Sequence, residues 1–265
     1  MKKILALVLA SLMLVSLVAC NKSKENENDN VKNTEPVVDE LVFENFKYRV
    51  NESGMYEITG YIPTSNDLVT VKVPAAIEGR PVVGIGESAF KSSQYLKGIE
   101  IPASITYISD YAFYDCQYLL EVTLPDSIVT LGKGVFQACT ALTTVKLSSE
   151  LTVISEYAFM NCSVLTGIVL PAKLTTVEAG AFYNCDALTA IAIPETVTTL
   201  GDAAFHECGK LATITISANT VNLGDSLFSK CADALTVYTT ADSAFAAYAE
   251  DNQYNYTVVV PTPAA

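Results

Sequence analysis

The sequence predicts a solenoid of stacked 23-residue coils, mainly β with short helical or 3-10 turns, capped at both ends. Three series of residues predict it. Phe90, Phe113, Phe136, Phe159, Phe182, Phe205 and Phe228 recur every 23 residues. Cys116, Cys139, Cys162, Cys185, Cys208 and Cys231 follow the last six of them by three positions, and Leu96, Leu119, Leu142, Leu165, Leu188 and Leu211 keep the same period. Self-similarity at a fixed period marks stacked repeats, in which each unit has an apolar face that only its neighbour can bury.

One unit can be folded from Leu119 to Cys139. Val122 and Leu124 alternate with Glu121 and Thr123, which is a strand with one buried face. Pro125 cannot extend the ladder, so the strand ends there. Ile128 and Leu131 supply a second inward pair, and Gly132 turns the chain. One unit earlier, Ser109-Asp110-Tyr111-Ala112-Phe113 offers a capping residue and an acid, which suits the start of a single helical turn. With parallel strands about 4.8 Å apart, seven coils make a rod on the order of 30 Å long.

The flanks of the array differ in pattern. From Leu41 to Val73, stretches such as Phe46 to Val50 and Tyr56 to Tyr61 read as strands, with a hairpin signal at Asn51, Ser53 and Gly54. This is the expected N-terminal cap. Beyond Cys231 the register slips, Leu235 coming one residue late. Ala241 to Glu250 then reads as an amphipathic helix and Tyr254 to Val260 as a strand, which would close the C-terminal end.

The first forty residues read as export and attachment. Lys2 and Lys3 precede an apolar run from Ile4 to Val18, the pattern of a secretory signal and too short for a comfortable membrane span. Leu17-Val18-Ala19-Cys20 resembles the lipobox of bacterial lipoproteins, which makes Cys20 the expected lipid anchor and mature N-terminus. Residues 21–40 hold almost no apolar side chain before Val37, so they are expected to be a disordered tether with a span of roughly 25 Å. The chain thus divides into a signal (1–19), a tether (20–40), an N-terminal cap with the first-coil opening (41–85), the repeats (86–235) and a C-terminal cap (236–265).

Half of the chain (50%) is hydrophobic and only 17% charged, enough for a core in each coil. The formal net charge is −13, and it becomes more negative once Lys2 and Lys3 are removed with the signal. That disfavours nucleic acid and anionic lipid headgroups, both polyanions bound through Lys and Arg. Membrane attachment is therefore expected through the N-terminal lipid only.

The unit Cys-x-x-Leu-x-x-Val-x-Leu-Pro-x-x-Ile-x-x-Leu-Gly-x-x-x-Phe-x-x-Cys, from Cys116 to Cys139, closely resembles the BspA-like (Treponema pallidum type) leucine-rich repeats of bacterial surface proteins. The stretch from Ile77 to Gly86 resembles the opening of such domains, so the resemblance runs from about Phe43 to the C-terminus. The chain lacks the Asn ladder of the commoner leucine-rich consensus, and Ser148 and Ser217 stand where neighbouring units have Pro. The resemblance implies a leucine-rich repeat solenoid, a right-handed coil with a concave parallel sheet. It also implies surface display and adhesion to host proteins or other bacteria.

Regularly spaced cysteines in an exported chain ordinarily mean disulfides. Here stacked coils hold equivalent side chains parallel rather than facing, so a column of free buried thiols is expected instead. No Cys-His cluster with metal spacing, phosphate-binding loop or nucleophile elbow is present, so neither metal nor cofactor is expected. His206-Glu207-Cys208 lies at a position where other units carry Tyr, Met or Ser, and His206 is read as a variable surface residue without a catalytic role.

Candidate binding residues are those that do not repeat. On the outward strand positions these are Glu100, Glu121, Thr123, Thr144 and Lys146, followed by a small apolar stretch at Gly167, Val169, Ala190 and Ala192. A second candidate is an aromatic patch of Tyr95, Tyr114 and Tyr118, with Tyr107 and Tyr111 near in sequence. The expected function is a lipid-anchored, surface-exposed, non-enzymatic module that binds a protein on a host or bacterial surface. The alternatives are a carbohydrate-binding module using the tyrosines, or a structural envelope protein with no specific ligand. The Lys, Asn and Glu content of the tether leans toward a Gram-positive cell.

Overall fold

A computed structural model describes residues 41–258 apart from 234, 241, 242 and 255. The expected signal, Cys20 and the tether lie outside the described residues. The N-terminal strands are β1 (Leu41–Phe43), β2 (Phe46–Val50), β3 (Tyr56–Tyr61), β4 (Val69–Lys72), β5 (Ala76–Ile77) and β6 (Arg80–Ile85). The coils add β7 (Leu96–Glu100), β8 (Tyr107–Ile108), β9 (Glu121–Thr123), β10 (Thr130–Leu131), β11 (Thr144–Lys146), β12 (Val153–Ile154) and β13 (Thr176–Val177). There follow β14 (Ala190–Ala192), β15 (Thr199–Leu200), β16 (Thr213–Thr215), β17 (Asn222–Leu223), β18 (Thr236–Thr239), the helix α1 (Ala244–Asn252) and β19 (Tyr256–Val258).

These strands form two β faces of a leucine-rich repeat solenoid. The front face holds the parallel sheets β4-β7-β9-β11 and β14-β16-β18-β19, and the flank holds β3-β6-β8-β10 and β12-β13-β15-β17. Register follows the 23-residue period, with Val122 beside Val145 and Ile191 beside Ile214. The hairpin β2–β3 is antiparallel, and β3 joins β6 in parallel, which starts the flank face. Where Pro ends a front strand, its carbonyl accepts a tight-turn bond, as from Ile128 N–H to Pro125 and from Val197 N–H to Pro194. Ser148 and Ser217 keep the same turn without the ring.

The third side of each coil carries the expected short turn rather than a regular helix. It is a 3-10-like turn whose alternate N–H groups have two destinations. Tyr111, Phe113 and Asp115 donate to Lys133, Val135 and Gln137 of the next coil, while Ala112, Tyr114 and Cys116 donate three residues back within their own coil. The same scheme recurs from Ser88 to Ser229. Two residues per coil adopt left-handed backbone to allow it, such as Tyr111 and Asp115 (φ 54 and 58) or Tyr157 and Asn161 (φ 57 and 62). Such a residue costs roughly 1–2 kcal/mol when it has a Cβ; the inter-coil bonds, each contributing about 1 kcal/mol, offset it.

Behind this turn ladder run two columns. The phenylalanine rings stack face to face at centroid distances of 5.1 Å (Phe90–Phe113) to 5.8 Å (Phe205–Phe228). Tyr61 of β3 stacks on Phe90 at 6.0 Å, and Phe245 of α1 and Tyr254 meet Phe228 edge-on. Both ends of the column are thereby covered by aromatic rings. Beside it, the six described cysteines are free, five of them buried and Cys231 half-buried. Each thiol is more than an apolar filler, because it donates to a phenylalanine carbonyl of the preceding coil, as Cys139 Sγ does to Phe113 O at 3.1 Å. That carbonyl also accepts the N–H of its own coil's cysteine, Cys116 in this case.

The C-terminal helix starts three residues later than the sequence pattern places it. Ser243 caps it by accepting from Ala246 N–H, and left-handed Gln253 (φ 58) ends it.

Both β faces break once, near the middle. On the front, Gly167 to Leu170 form no strand and donate no main-chain bond to either side, although Ile168 and Leu170 still point inward. On the flank, β10 pairs with β8 and β12 with β13, but β10 and β12 do not pair with each other. There Ser155 Oγ bonds to Leu131 O where other coils use a main-chain N–H, and buried Ser148 Oγ donates to Ile128 O at 2.6 Å. The turn ladder is continuous across both breaks.

Gly180 has left-handed backbone (φ +58), and a Cβ there would come within 2.4 Å of the Tyr157 ring. Gly180→Ala should therefore cost about 2 kcal/mol through overpacking, since Ala203 shows that the backbone itself tolerates Ala at this position (φ 53). Urea unfolding of Gly180→Ala, alone and with Tyr157→Ala, checks this: the cost should shrink in the double variant. Equal cost in both backgrounds would contradict it.

Candidate functional site

The front face carries the residues the repeat leaves variable. Side chains alternate along each strand, so Val122 and Val145 enter the core while Glu121, Thr123, Thr144 and Lys146 point out and are exposed. Parallel pairing sets them in rows, Gly98 beside Glu121 beside Thr144, and Thr123 beside Lys146. Glu100, also exposed, faces Lys72 across β4 and β7 at 3.9 Å. The expected front-face residues are thus brought onto one sheet.

The tyrosines are not brought into one patch. Tyr118 is 48% exposed and Tyr95 half-buried, and neither makes a ring contact among the described residues. Tyr114 lies on the turn side, edge-on to Tyr111 at 5.9 Å and with Lys91 over its ring. Tyr107 belongs to the flank, where Asn51 Nδ2 donates to its hydroxyl. A 23-residue coil circles the core once, so tyrosines a few residues apart in one coil face different sides.

The middle of the front face was legible only as small residues. Its geometry adds the break: Val169 is 86% exposed, and no atom lies within 4 Å of where a Gly167 Cβ would be. Exposed Ala190 and Ala192 continue this smooth area on β14. Main-chain groups of Gly167 to Leu170 and the facing edges of β11 and β14 are open there. An isolated exposed apolar side chain is ordinary, but one set among open main-chain donors and acceptors can take part in docking a partner.

His206 sits deeper than its expected surface slot. Its side chain is 15% exposed and stacks on Tyr183 at 4.9 Å, with Nδ1 buried and unpartnered and Nε2 3.8 Å from Glu207 Oε1. Glu207 is held by Lys230 at 2.6 Å, which keeps its carboxyl below the usual range. Cys208 turns away to donate to Phe182 O, and the neighbouring Cys231 thiol, with burial, pushes its own thiol up. A protonated, inward-facing thiol is a poor nucleophile. Burial likewise raises Cys139 and Cys162, and takes Cys185 up to about 12. Among the described residues no group of three His, Cys, Asp or Glu could hold a metal ion, and no helix is long and apolar enough to cross a membrane.

The geometry defines a repeat protein with a constant inside and a variable exposed strand face. The BspA type leucine rich repeat region matches residues 83–189 and 152–246 in 6 copies, more than half of the chain, and the chain belongs to that family. The T. pallidum leucine-rich repeat protein shares the fold at 22% identity and a TM-score of 0.50, over 84% of this chain and 100% of that one. A leucine rich cell surface protein from Faecalibacterium prausnitzii does so at 21% identity and a TM-score of 0.50, over 75% of each chain. No curated protein matches.

The raised thiols give a pH dependence. A folded-state value above the unfolded value of about 8.5 leaves stability intact below pH 8.5 and removes it as pH rises toward the folded value. Unfolding free energy should hold from pH 7 to 8 and then fall by about 1.4 kcal/mol per pH unit for each of the raised thiols of Cys139, Cys162, Cys185 and Cys208. Urea melts of the parent and of Cys162→Ala/Cys185→Ala at pH 8 and 9.5 check this, the variant falling less. Identical slopes would contradict it.

Proposed function

We propose that this chain is a non-enzymatic, surface-displayed binding module, anchored by lipid at Cys20, whose front face docks a protein of a host or bacterial surface in adhesion. The observation that carries the reading is the break at Gly167 to Leu170. It puts Val169 and open main-chain groups between the polar rows of Glu121, Thr123, Thr144 and Lys146 on one side and Thr213 and Thr215 on the other. An interface core of small apolar residues with a polar rim fits this layout. Family membership and a fold shared with a cell surface protein support it. Catalysis has no support from His206 and Cys208, one stacked on Tyr183 and the other turned into the core.

Pull-downs from host matrix and bacterial surface extracts with the parent, Val169→Asp and Lys146→Glu test the face. Capture by the parent that drops at least about tenfold in Val169→Asp, roughly 1.4 kcal/mol, is expected. Equal capture by both would remove the front face from the reading, and a blank from every extract would favour a structural envelope role. Metabolic labelling with radioactive palmitate tests the anchor: the parent should take up label and Cys20→Ala should not.

A further inference from the structure

The N-terminal end of the flank carries a group of side chains that the repeat does not require. Pairing across β2, β3, β6, β8 and β10 sets Arg49, Glu57, Gly84, Tyr107 and Thr130 in one outward row. In later coils the Tyr107 position holds Thr130, Val153, Thr176, Thr199 and Asn222, ordinary strand residues. Tyr107 instead lies flat across Gly84, where a Cβ would come within 2.2 Å of its ring. Arg49 Nε donates to Glu57 Oε2 at 2.9 Å, with the Glu57 side chain 4% exposed and that of Arg49 46% exposed. The buried carboxylate fixes one edge of the guanidinium, on a side chain that stays about half exposed. Burying a carboxylate is a poor way to gain stability compared with an apolar residue of similar size.

Tyr107 forms the ridge between two clefts. One, of about 590 Å³, is walled by Arg49, Glu87, Tyr107 and Asp110. The other, of about 530 Å³, is walled by Arg49, Asn51, Glu52 and Tyr107. Both volumes suit a small ligand. We propose that this ridge and its clefts bind a neutral saccharide. A sugar ring offers an apolar C–H face, for which the tyrosine ring is a platform, and a rim of hydroxyls that both donate and accept. Arg49 and Asn51 supply donors to that rim, and Glu87 and Asp110 supply acceptors. Glu52, Glu87 and Asp110, with a net charge of −13, repel anionic ligands. This site lies on the flank and includes neither Tyr95 nor Tyr118, and it is independent of the front face.

The test is a printed array of neutral glycans (hexose and N-acetylhexosamine oligomers) and anionic ones (sialylated and sulfated), probed with the purified protein and four variants. The parent should retain neutral glycans. Tyr107→Ala and the exposed Glu87→Ala should each weaken retention by about tenfold. Tyr107→Phe should keep it to within about threefold, and Val169→Asp should leave it unchanged, with thermal melts showing each variant folded. Retention of no glycan, retention of anionic glycans alone, or equal retention by the parent and folded Glu87→Ala and Tyr107→Ala would overturn the proposal.

Discussion

The rest of the structure depends on the contact between the phenylalanine of one coil and that of the next. The ring stacks on its neighbour, and its carbonyl accepts both a main-chain N–H from its own coil and a cysteine thiol from the following one. A coil of 23 residues has too little interior to bury an apolar face by itself. It acquires one only through this stack, so the Phe and Cys positions admit almost no variation until the array ends. The first coil illustrates the rule: Ser93 occupies the cysteine position where no earlier phenylalanine carbonyl precedes it. Aromatic rings from β3 and α1 then replace the missing neighbours at the two ends.

The turn ladder beside the stack is the one hydrogen-bonded face that runs unbroken through the described repeats. Parallel strands need a regular extended backbone, and Gly167 to Leu170 depart from it. The turn ladder tolerates varied side chains, since Ser, Tyr, Gly, Ala, Asn, Glu and Lys all occupy its left-handed positions. Continuity on one side allows discontinuity on the others. The front face can therefore open at Val169, and the flank can rely on Ser148 and Ser155 hydroxyls, without loss of the core column.

Much of this was legible in the sequence because the repeat records what is buried. Phe, Cys and Leu spacing gave the coil length, Pro125 and Pro194 the strand ends, and the alternation at Val122 and Leu124 the inward and outward sides. The left-handed turn positions were hidden, since Gly134, Gly180, Asp115, Asn161 and Asn184 mark only some of them by residue type while Ser, Tyr, Ala, Glu and Lys hold the rest. The front break was hidden as well: Gly167-Ile168-Val169-Leu170 has the same alternation as Glu121 to Leu124. The row from Arg49 to Tyr107 joins a hairpin outside the period to a strand inside it, and only the register between β3 and β6 brings those residues together. Tyr107 and Tyr114 lie on the flank and the turn side, apart from each other, because closeness in sequence within one coil does not mean closeness in angle around it.

Native-state hydrogen exchange tests most directly the claim that the turn side, and not the strand faces, holds the middle of the solenoid together. The N–H groups of Phe136, Ala138, Tyr157 and Phe159 should be protected to the level of global unfolding, while those of Ile168, Val169 and Leu170 exchange many times faster. Equal protection of Ile168 to Leu170 and of the turn-side groups would mean that the front sheet is continuous, and would contradict both the open break and the docking face built on it.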